Sequence, residues 1–226
     1  MTTWDWLLKQ MLWQQLADVQ GMSILDYGSG CGETAAHLAC CNHVTAVEPS
    51  ADMLAHREQG NYRQLEGGLE VLQSLPDAAF DMVVCHNVLE YVDDKALYLR
   101  ELARVLKPGG LFSLVKHNRP GRVMQMTVLL NNFDMANTLL DGGNGTTSQF
   151  GDIRYYADED VPRACPELRV EKLWGLRTFW DLQQNQQCHA EPEWQQQMLA
   201  LEHRVSVLPE YQAIAFFHHL LLRKQG

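Results

Sequence analysis

The run Ile24-Leu25-Asp26-Tyr27-Gly28-Ser29-Gly30-Cys31-Gly32-Glu33-Thr34 joins an apolar strand end to a helix start through Asp-x-Gly-x-Gly-x-Gly. A second apolar stretch, Val44-Thr45-Ala46-Val47, closes on the acid Glu48. Strand, glycine turn, helix, strand and acid form the front end of a nucleotide-binding α/β domain. Glycine lets the backbone approach a ligand closely, and a helix N-terminus offers N–H groups that lack intrahelical partners. An acid at the tip of the second strand can accept both ribose hydroxyls. Taken alone, the run also fits a glycine turn in an unrelated α/β protein.

Composition narrows the setting. The chain has 226 residues, 46% of them hydrophobic, enough for one sizeable core and a single domain spanning 1–226. No stretch reaches ~18 apolar residues free of charge, so no membrane span is expected. The N-terminus is acidic and tryptophan-rich rather than basic and apolar, so no signal peptide is visible and a cytoplasmic protein is expected. None of the six cysteines forms C-x-x-C and no Cys/His cluster has zinc spacing, so no metal is predicted. Cys31, Cys40, Cys41 and Cys85 fall in predicted core elements and read as reduced packing residues. A net charge of −10 disfavours generic nucleic-acid binding, because Lys and Arg supply much of the affinity for phosphate. One local basic patch remains compatible with it.

The glycine spacing selects among nucleotides. A dinucleotide site wants G-x-G-x-x-G, which would put a third glycine at position 33; that residue is Glu33, whose carboxylate repels a pyrophosphate. A dehydrogenase is therefore disfavoured. Glycines at 28, 30 and 32 behind Asp26 resemble motif I of the class I S-adenosylmethionine methyltransferases. Glu48-Pro49-Ser50-Ala51-Asp52-Met53 resembles that family's segment after strand two. Phe80-Asp81-Met82-Val83-Val84-Cys85-His86, followed by Asn87-Val88-Leu89-Glu90-Tyr91-Val92, resembles its strand four. Arg104-Val105-Leu106-Lys107-Pro108-Gly109-Gly110-Leu111-Phe112-Ser113-Leu114-Val115 resembles its turn into strand five.

The resemblance implies an α/β, Rossmann-like fold: a mostly parallel seven-stranded sheet with an antiparallel last strand and helices on both faces. It implies S-adenosyl-L-methionine as cofactor and S-adenosyl-L-homocysteine as product. Asp26, Gly28, Ser29 and Gly30 would form the cofactor loop, Glu48 and Pro49 the ribose edge, and Met53 the adenine contact. Gly68 and Leu69 would flank the adenine, and His86 would border the transferred methyl group. A protein that binds the cofactor without catalysis is the reading from another class, and the insertion described below argues against it.

Periodicity predicts helices at 4–19, 32–41, 50–58, 95–106 and 192–206, and strands at 22–26, 43–48, 61–66, 80–85, 111–116, 169–180 and 212–223. Trp4, Trp6 and Trp13 add bulk to the first helix, which reads equally as a packing helix or a lid. After residue 117 the alternation stops. Residues 118–166 carry a predicted helix at 121–131 and a polar glycine loop, and form the candidate substrate-covering insertion. Gln183–Gln187 reads as a solvated surface, and His218-His219 and Trp174/Trp180 as surface and core.

The second half carries a closer resemblance. Leu12-Trp13-Gln14, His86-x-Val88-Leu89-Glu90, Lys116-His117-Asn118, Asn132-Phe133-Asp134, Gly175-Leu176-Arg177-Thr178-Phe179, Leu201-Glu202-x-Arg204 and Pro209-x-Tyr211 resemble the bacterial tRNA methyltransferases that esterify the carboxylate of wobble 5-carboxymethoxyuridine. This implies tRNA as partner. A small-molecule acceptor stays open, because Asp141 to Asp152 contains no Lys or Arg. A carboxylate is already ionised at pH 7 and needs no base, only cations or donors to orient it. Arg177, Arg119, Arg122 and His117, with the adjacent Asn118, are the candidates. A hydroxyl or amine acceptor would instead want a base, with His86, His117 and Asp134 available. Arg119 and Arg122 also read as solvated helix ends, and His86 as a histidine satisfied by the backbone. Glu90 and Tyr91 read as packing and capping residues.

Overall fold

The computed structural model describes residues 3–147 and 151–226. The side chain of Trp4, and residues 148–150 of the expected insertion, lie outside the described part. The chain runs α1 (Thr3–Gln15), β1 (Ser23–Tyr27), α2 (Glu33–Leu38), β2 (His43–Glu48), α3 (Ala51–Ala55), β3 (Arg63–Glu66), α4 (Leu69–Ser74), β4 (Phe80–His86), α5 (Lys95–Val105) and β5 (Leu106–His117). There follow α6 (Arg119–Met124), α7 (Phe133–Leu140), β6 (Gly145–Thr147), β7 (Gly151–Ile153), α8 (Asp160–Ala164), β8 (Leu168–Leu176), α9 (Pro192–Val205), α10 (Pro209–Gln212) and β9 (Phe217–Lys224).

Seven strands form one sheet in the order β3-β2-β1-β4-β5-β9-β8. The first five are parallel. The last strand, β9, runs antiparallel to its neighbours: against β8, Phe216 N–H donates to Arg177 C=O and at the other end Gln225 N–H donates to Glu167 C=O, and against β5, Asn118 N–H donates to Phe216 C=O while Lys224 Nζ donates to Leu106 C=O. This is the expected Rossmann-like sheet. Central strands of a parallel sheet are covered on both faces, so β1 is buried from Ile24 through Tyr27 rather than alternating.

The residues group into two compact units. One comprises Leu16–Val115, Tyr156–Lys172 and Leu220–Gly226; the other comprises residues 1–15, Lys116–Tyr155 and Leu173–His219. The core of the first packs Leu16, Ile24, Ala35, Leu38, Val44, Ala46, Met82 and Val84 together, each large side chain contributing about 1.5–3 kcal/mol on burial. In the second, α1 buries Leu7, Leu8, Met11 and Leu12, and Trp6 stacks on the fully buried Trp180 at 6.0 Å. A smaller cluster joins Met126, Ala136 and Leu139.

Several expectations need correction. The first helix ends at Gln15, four residues early. The second ends at Leu38, because Asn42 Nδ2 donates to Leu38 C=O and Val19 C=O and draws the chain into a turn. That turn leaves Cys40 and Cys41 exposed rather than in the core, while Cys31 is half-buried and Cys85 buried; all six thiols are free. The short helix α4 was not predicted. Strand β5 starts at Leu106, passing through Gly109 at φ +77° before regaining register with β4. The helix expected at 121–131 is α6 followed by a wide turn at Gln125–Leu129, and α7 and the β6–β7 hairpin occupy the expected loop. The last strand begins only at Phe217, behind α10, and His218 is buried along with His219.

Candidate functional site

In the first unit, the glycine loop is built by its own backbone. Gly28, Gly30 and Gly32 sit at φ +75°, +56° and +74°, a left-handed region that glycine enters without steric cost. Gly28 and Ser29 N–H both donate to Val47 C=O, at 2.8 and 3.1 Å, tying the loop to the end of β2. A Cβ on Gly28 would lie 2.3 Å from Val88 Cγ2, and one on Gly32 2.3 Å from Tyr62 Oη; one on Gly30 would meet nothing within 4 Å. Gly30 is thus the open face of the loop.

Glu48 stands at that face. Its Oε2 accepts from Gly30 N–H at 2.8 Å and its Oε1 from Ser50 N–H at 2.9 Å, and it is buried. Ser50 caps α3 and brings Met53 round, so that Cys31 Sγ approaches Met53 Sδ at 3.6 Å. Pro49 between them is exposed. Glu48 pairs in register with Glu66, and Gly67 N–H donates to Glu48 C=O. This sets Gly68 and Leu69, the start of α4, at the same strand edge. His86 ends β4 with Nε2 2.8 Å from Ser113 Oγ.

The charges of this unit suit a cationic cofactor. Asp26 and Glu90 are buried carboxylates. Burial, then Glu90 and Asp26, push the buried Cys85 thiol well above its ordinary range. Burial and Glu90 do the same to the Tyr156 phenol. A sulfonium and an ammonium group match such a field, whereas a pyrophosphate does not. Glu33 opens α2 at the place a pyrophosphate would need. The open Gly30, the carboxylate at the strand tip and the acidic surroundings therefore fit S-adenosylmethionine.

The second unit holds the acceptor candidates. His117 is buried among Tyr155, Phe216 and Phe217, with ring centroids at 6.4, 5.6 and 4.7 Å. The Arg177 guanidinium carbon lies 5.1 and 5.2 Å from the Phe216 and Phe217 ring centres, that of Arg122 lies 5.7 Å from Phe216, and that of Arg119 5.3 Å from Tyr155. Burial, reinforced by Arg122, Arg177 and Lys116, lowers the pKa of His117 from 6.5 to about 3. It is neutral at pH 7: a donor or acceptor, not a cation, and too weakly basic to serve well as a general base. Asn118 donates its amide to Ala213 and Ala215 C=O, locking α6 against the chain before β9. Arg119 Nη2 donates to Gly142 C=O at 3.2 Å. Asp134 is exposed in the first turn of α7.

Arg177 lies one residue beyond β8, not within a strand, at φ +59°. It makes a buried bidentate pair with Asp181, with Nε–H donating to Oδ2 at 2.8 Å and Nη2 donating to Oδ1. Gln125 Nε2 donates to Asp181 and Arg122 donates to Gln125 Oε1, so four side chains form one chain of contacts. Glu202, fully buried, accepts from the N–H groups of Thr178, Phe179 and Trp180 at 2.8, 2.8 and 3.0 Å. Burial raises its pKa, against the pull of those three donors.

Sequence reasoning did not single out Val88, Ser113, Gln125, Asp181, Phe216 or Phe217. Only Asp181 left a readable trace, as an acid four residues from Arg177. Among the described residues, no group of three or more His, Cys, Asp or Glu side chains is placed to hold a metal, and no helix is long and apolar enough to cross a membrane.

Comparison with known proteins bears on the same residues. A family described as "Methyltransferase domain" matches residues 25–114, which span β1 to β5. The tRNA 5-carboxymethoxyuridine methyltransferase of Escherichia coli strain K12 is 27% identical over 99% of this chain and 90% of its own length. The malonyl-[acyl-carrier protein] O-methyltransferase of Erwinia billingiae is 38% identical, over 42% of this chain and 39% of its own. The crystal structure of an S-adenosylmethionine-dependent methyltransferase from Mesorhizobium loti superposes with a TM-score of 0.61 at 17% identity, covering 96% of this chain and 98% of that one. Glycine loop, acidic strand tip, sheet order and these likenesses converge on an S-adenosylmethionine-dependent methyltransferase domain at residues 25–114, carried by a Rossmann-like sheet.

Proposed function

We propose that this methyltransferase esterifies a carboxylate, and that the carboxylate belongs to 5-carboxymethoxyuridine at the wobble position of tRNA. The observation that carries the reading is the cation–aromatic cluster of buried Arg177, half-buried Arg122 and neutral His117 over Phe216 and Phe217. Arginine guanidinium groups match the planar geometry of a carboxylate, and an anionic acceptor suits a cluster that carries them. The likeness to the E. coli tRNA enzyme, over nearly the whole chain, supports the choice of acceptor.

The division of labour follows. Asp26, Gly28, Ser29 and Gly30 hold the amino-acid end of S-adenosylmethionine. Glu48 and Pro49 hold its ribose, with Met53, Gly68 and Leu69 around its adenine, and His86 borders the reacting centre. The bound cofactor supplies an electrophilic methyl group on a sulfonium. Arg177, Arg122 and Arg119 hold the acceptor carboxylate, His117 offers a neutral hydrogen-bonding edge, and Asn118 keeps His117 and Arg119 in place. No proton has to move, because the acceptor arrives ionised. Positioning then supplies much of the rate. The protein acts in the cytoplasm as a single domain, with Asn118, Arg119 and Arg122 of the expected insertion serving the acceptor.

A small-molecule acceptor is the second reading, favoured by the net charge of −10 and the absence of Lys and Arg from 141–152. One experiment separates them: transfer of labelled methyl from S-adenosylmethionine to bulk tRNA from a strain lacking this protein, beside a small-molecule extract of the same cells. The proposal expects label in tRNA that mild alkali removes, as an ester requires. Label confined to the small-molecule fraction refutes it.

A further inference from the structure

We infer that Glu202 is a positioning residue for Arg177: its buried carboxylate gathers the Thr178, Phe179 and Trp180 N–H groups and so holds the turn on which Arg177 faces Asp181. The inference rests on the reading of Arg177 as the holder of the acceptor carboxylate.

Arg177 occupies the left-handed region at φ +59° with a full side chain. A non-glycine residue stays there only when its surroundings over-determine it. Glu202 supplies most of that determination. It approaches from α9, 25 positions down the chain, and takes the three consecutive N–H groups that directly follow Arg177. These donors would otherwise continue β8 or go unsatisfied in the interior. Gathering three successive N–H groups on one carboxylate curls the backbone, and the curl brings Asp181 back under the guanidinium. Phe216 N–H closes the turn from the other side by donating to Arg177 C=O at 3.3 Å. Arg177 is thereby pinned at its backbone by Glu202 and at its head by Asp181. A long cation fixed at both ends loses little freedom when a carboxylate docks, which strengthens binding without adding a contact.

The test is Glu202→Gln, which keeps the size and one acceptor oxygen but turns an NH2 toward one of the three backbone donors. Two quantities are read: the Arg177 Nε–H resonance by 15N NMR, assigned by its loss in Arg177→Lys, and the kinetics of methyl transfer to tRNA carrying 5-carboxymethoxyuridine. We expect that resonance to shift and lose exchange protection, and KM for tRNA to rise about tenfold with kcat within about twofold, the mark of lost ground-state binding. Should Glu202→Gln not fold, Glu202→Asp retains the charge at shorter reach and gives the same two readings. Asp181→Asn, which spares the Glu202 contacts, should disturb the same resonance. A folded Glu202 variant with lowered Tm but an unchanged Arg177 resonance and KM has lost only packing, and overturns the inference. If the resonance responds but the wild-type protein methylates no tRNA, the acceptor assignment fails while the positioning of Arg177 stands.

Discussion

The glycine loop and the Arg177 turn both hold backbone in the left-handed region, by opposite means. At 28, 30 and 32 the missing side chain makes φ values of +56° to +75° cheap, and the conformation is written into three neighbouring letters. At 177 an arginine is held at +59° by Glu202, Asp181 and Phe216, which come from three separate places in the chain. The first device presents backbone to a cofactor. The second presents a cation, which no glycine could supply. One is a property of a local motif, the other of tertiary structure, and they should fail differently.

The harshest break is Arg177→Ala. It leaves Asp181 buried without its counter-ion, which should cost about 3–5 kcal/mol of stability in denaturant unfolding. The double replacement Arg177→Met/Asp181→Leu should recover most of that loss yet not restore methyl transfer. Recovery of both would remove Arg177 from the acceptor site. Next comes Gly28→Ala. A left-handed alanine costs about 1–2 kcal/mol, and overpacking against Val88 adds about 1–3 kcal/mol. Calorimetry should show weakened S-adenosylmethionine binding alongside a lower Tm. Glu48→Ala removes the acceptor for two loop N–H groups and should weaken cofactor binding by about 1–3 kcal/mol, leaving the Arg177 resonance unmoved. Unaltered affinity would take Glu48 out of the cofactor site.

Acid probes the second unit without any substitution. His117 and His219 fall from an ordinary 6.5 to about 3 on folding, chiefly through burial. The unfolded chain therefore binds protons that the folded chain refuses between pH 6.5 and 3. Stability is full above pH 6.5 and falls as pH drops through that window, by up to about 1.4 kcal/mol per pH unit for each histidine. Both belong to the unit that carries Arg177. Thermal melts from pH 7 to 4 should show the slope, and His219→Gln should flatten it.

The contrast also explains what was readable beforehand. The cofactor half was legible because each element has a local cause: the glycines demand their turn, and β2 ends on its acid where the alternation ends, at Glu48. Even there the packing of Val88 on Gly28 is not readable, since only the fold sets one against the other. Arg177 was read as part of a strand because Leu173-Trp174-Gly175-Leu176 looks extended, and what ends the strand is a carboxylate 25 residues later. His117 was read among the orienting groups with the arginines, but the same apolar walls that enclose it keep it neutral. Cys40 and Cys41 looked like helix-buried thiols until Asn42 turned the chain beneath them.

The nesting of Gly28 against Val88 has a consequence for how such a chain can diverge. Position 28 has no room to grow while position 88 keeps its branch, because the space a methyl group would take is already filled by Val88 Cγ2 at 2.3 Å. The two sites lie sixty residues apart, yet drift at one is conditional on the other. A lineage that first trims residue 88 to alanine removes the clash and leaves a side chain at 28 only its left-handed strain of about 1–2 kcal/mol; one that mutates 28 first meets strain and clash together. The order of substitutions, not only their identity, is therefore constrained by a van der Waals contact acting on top of the backbone's own preference for glycine.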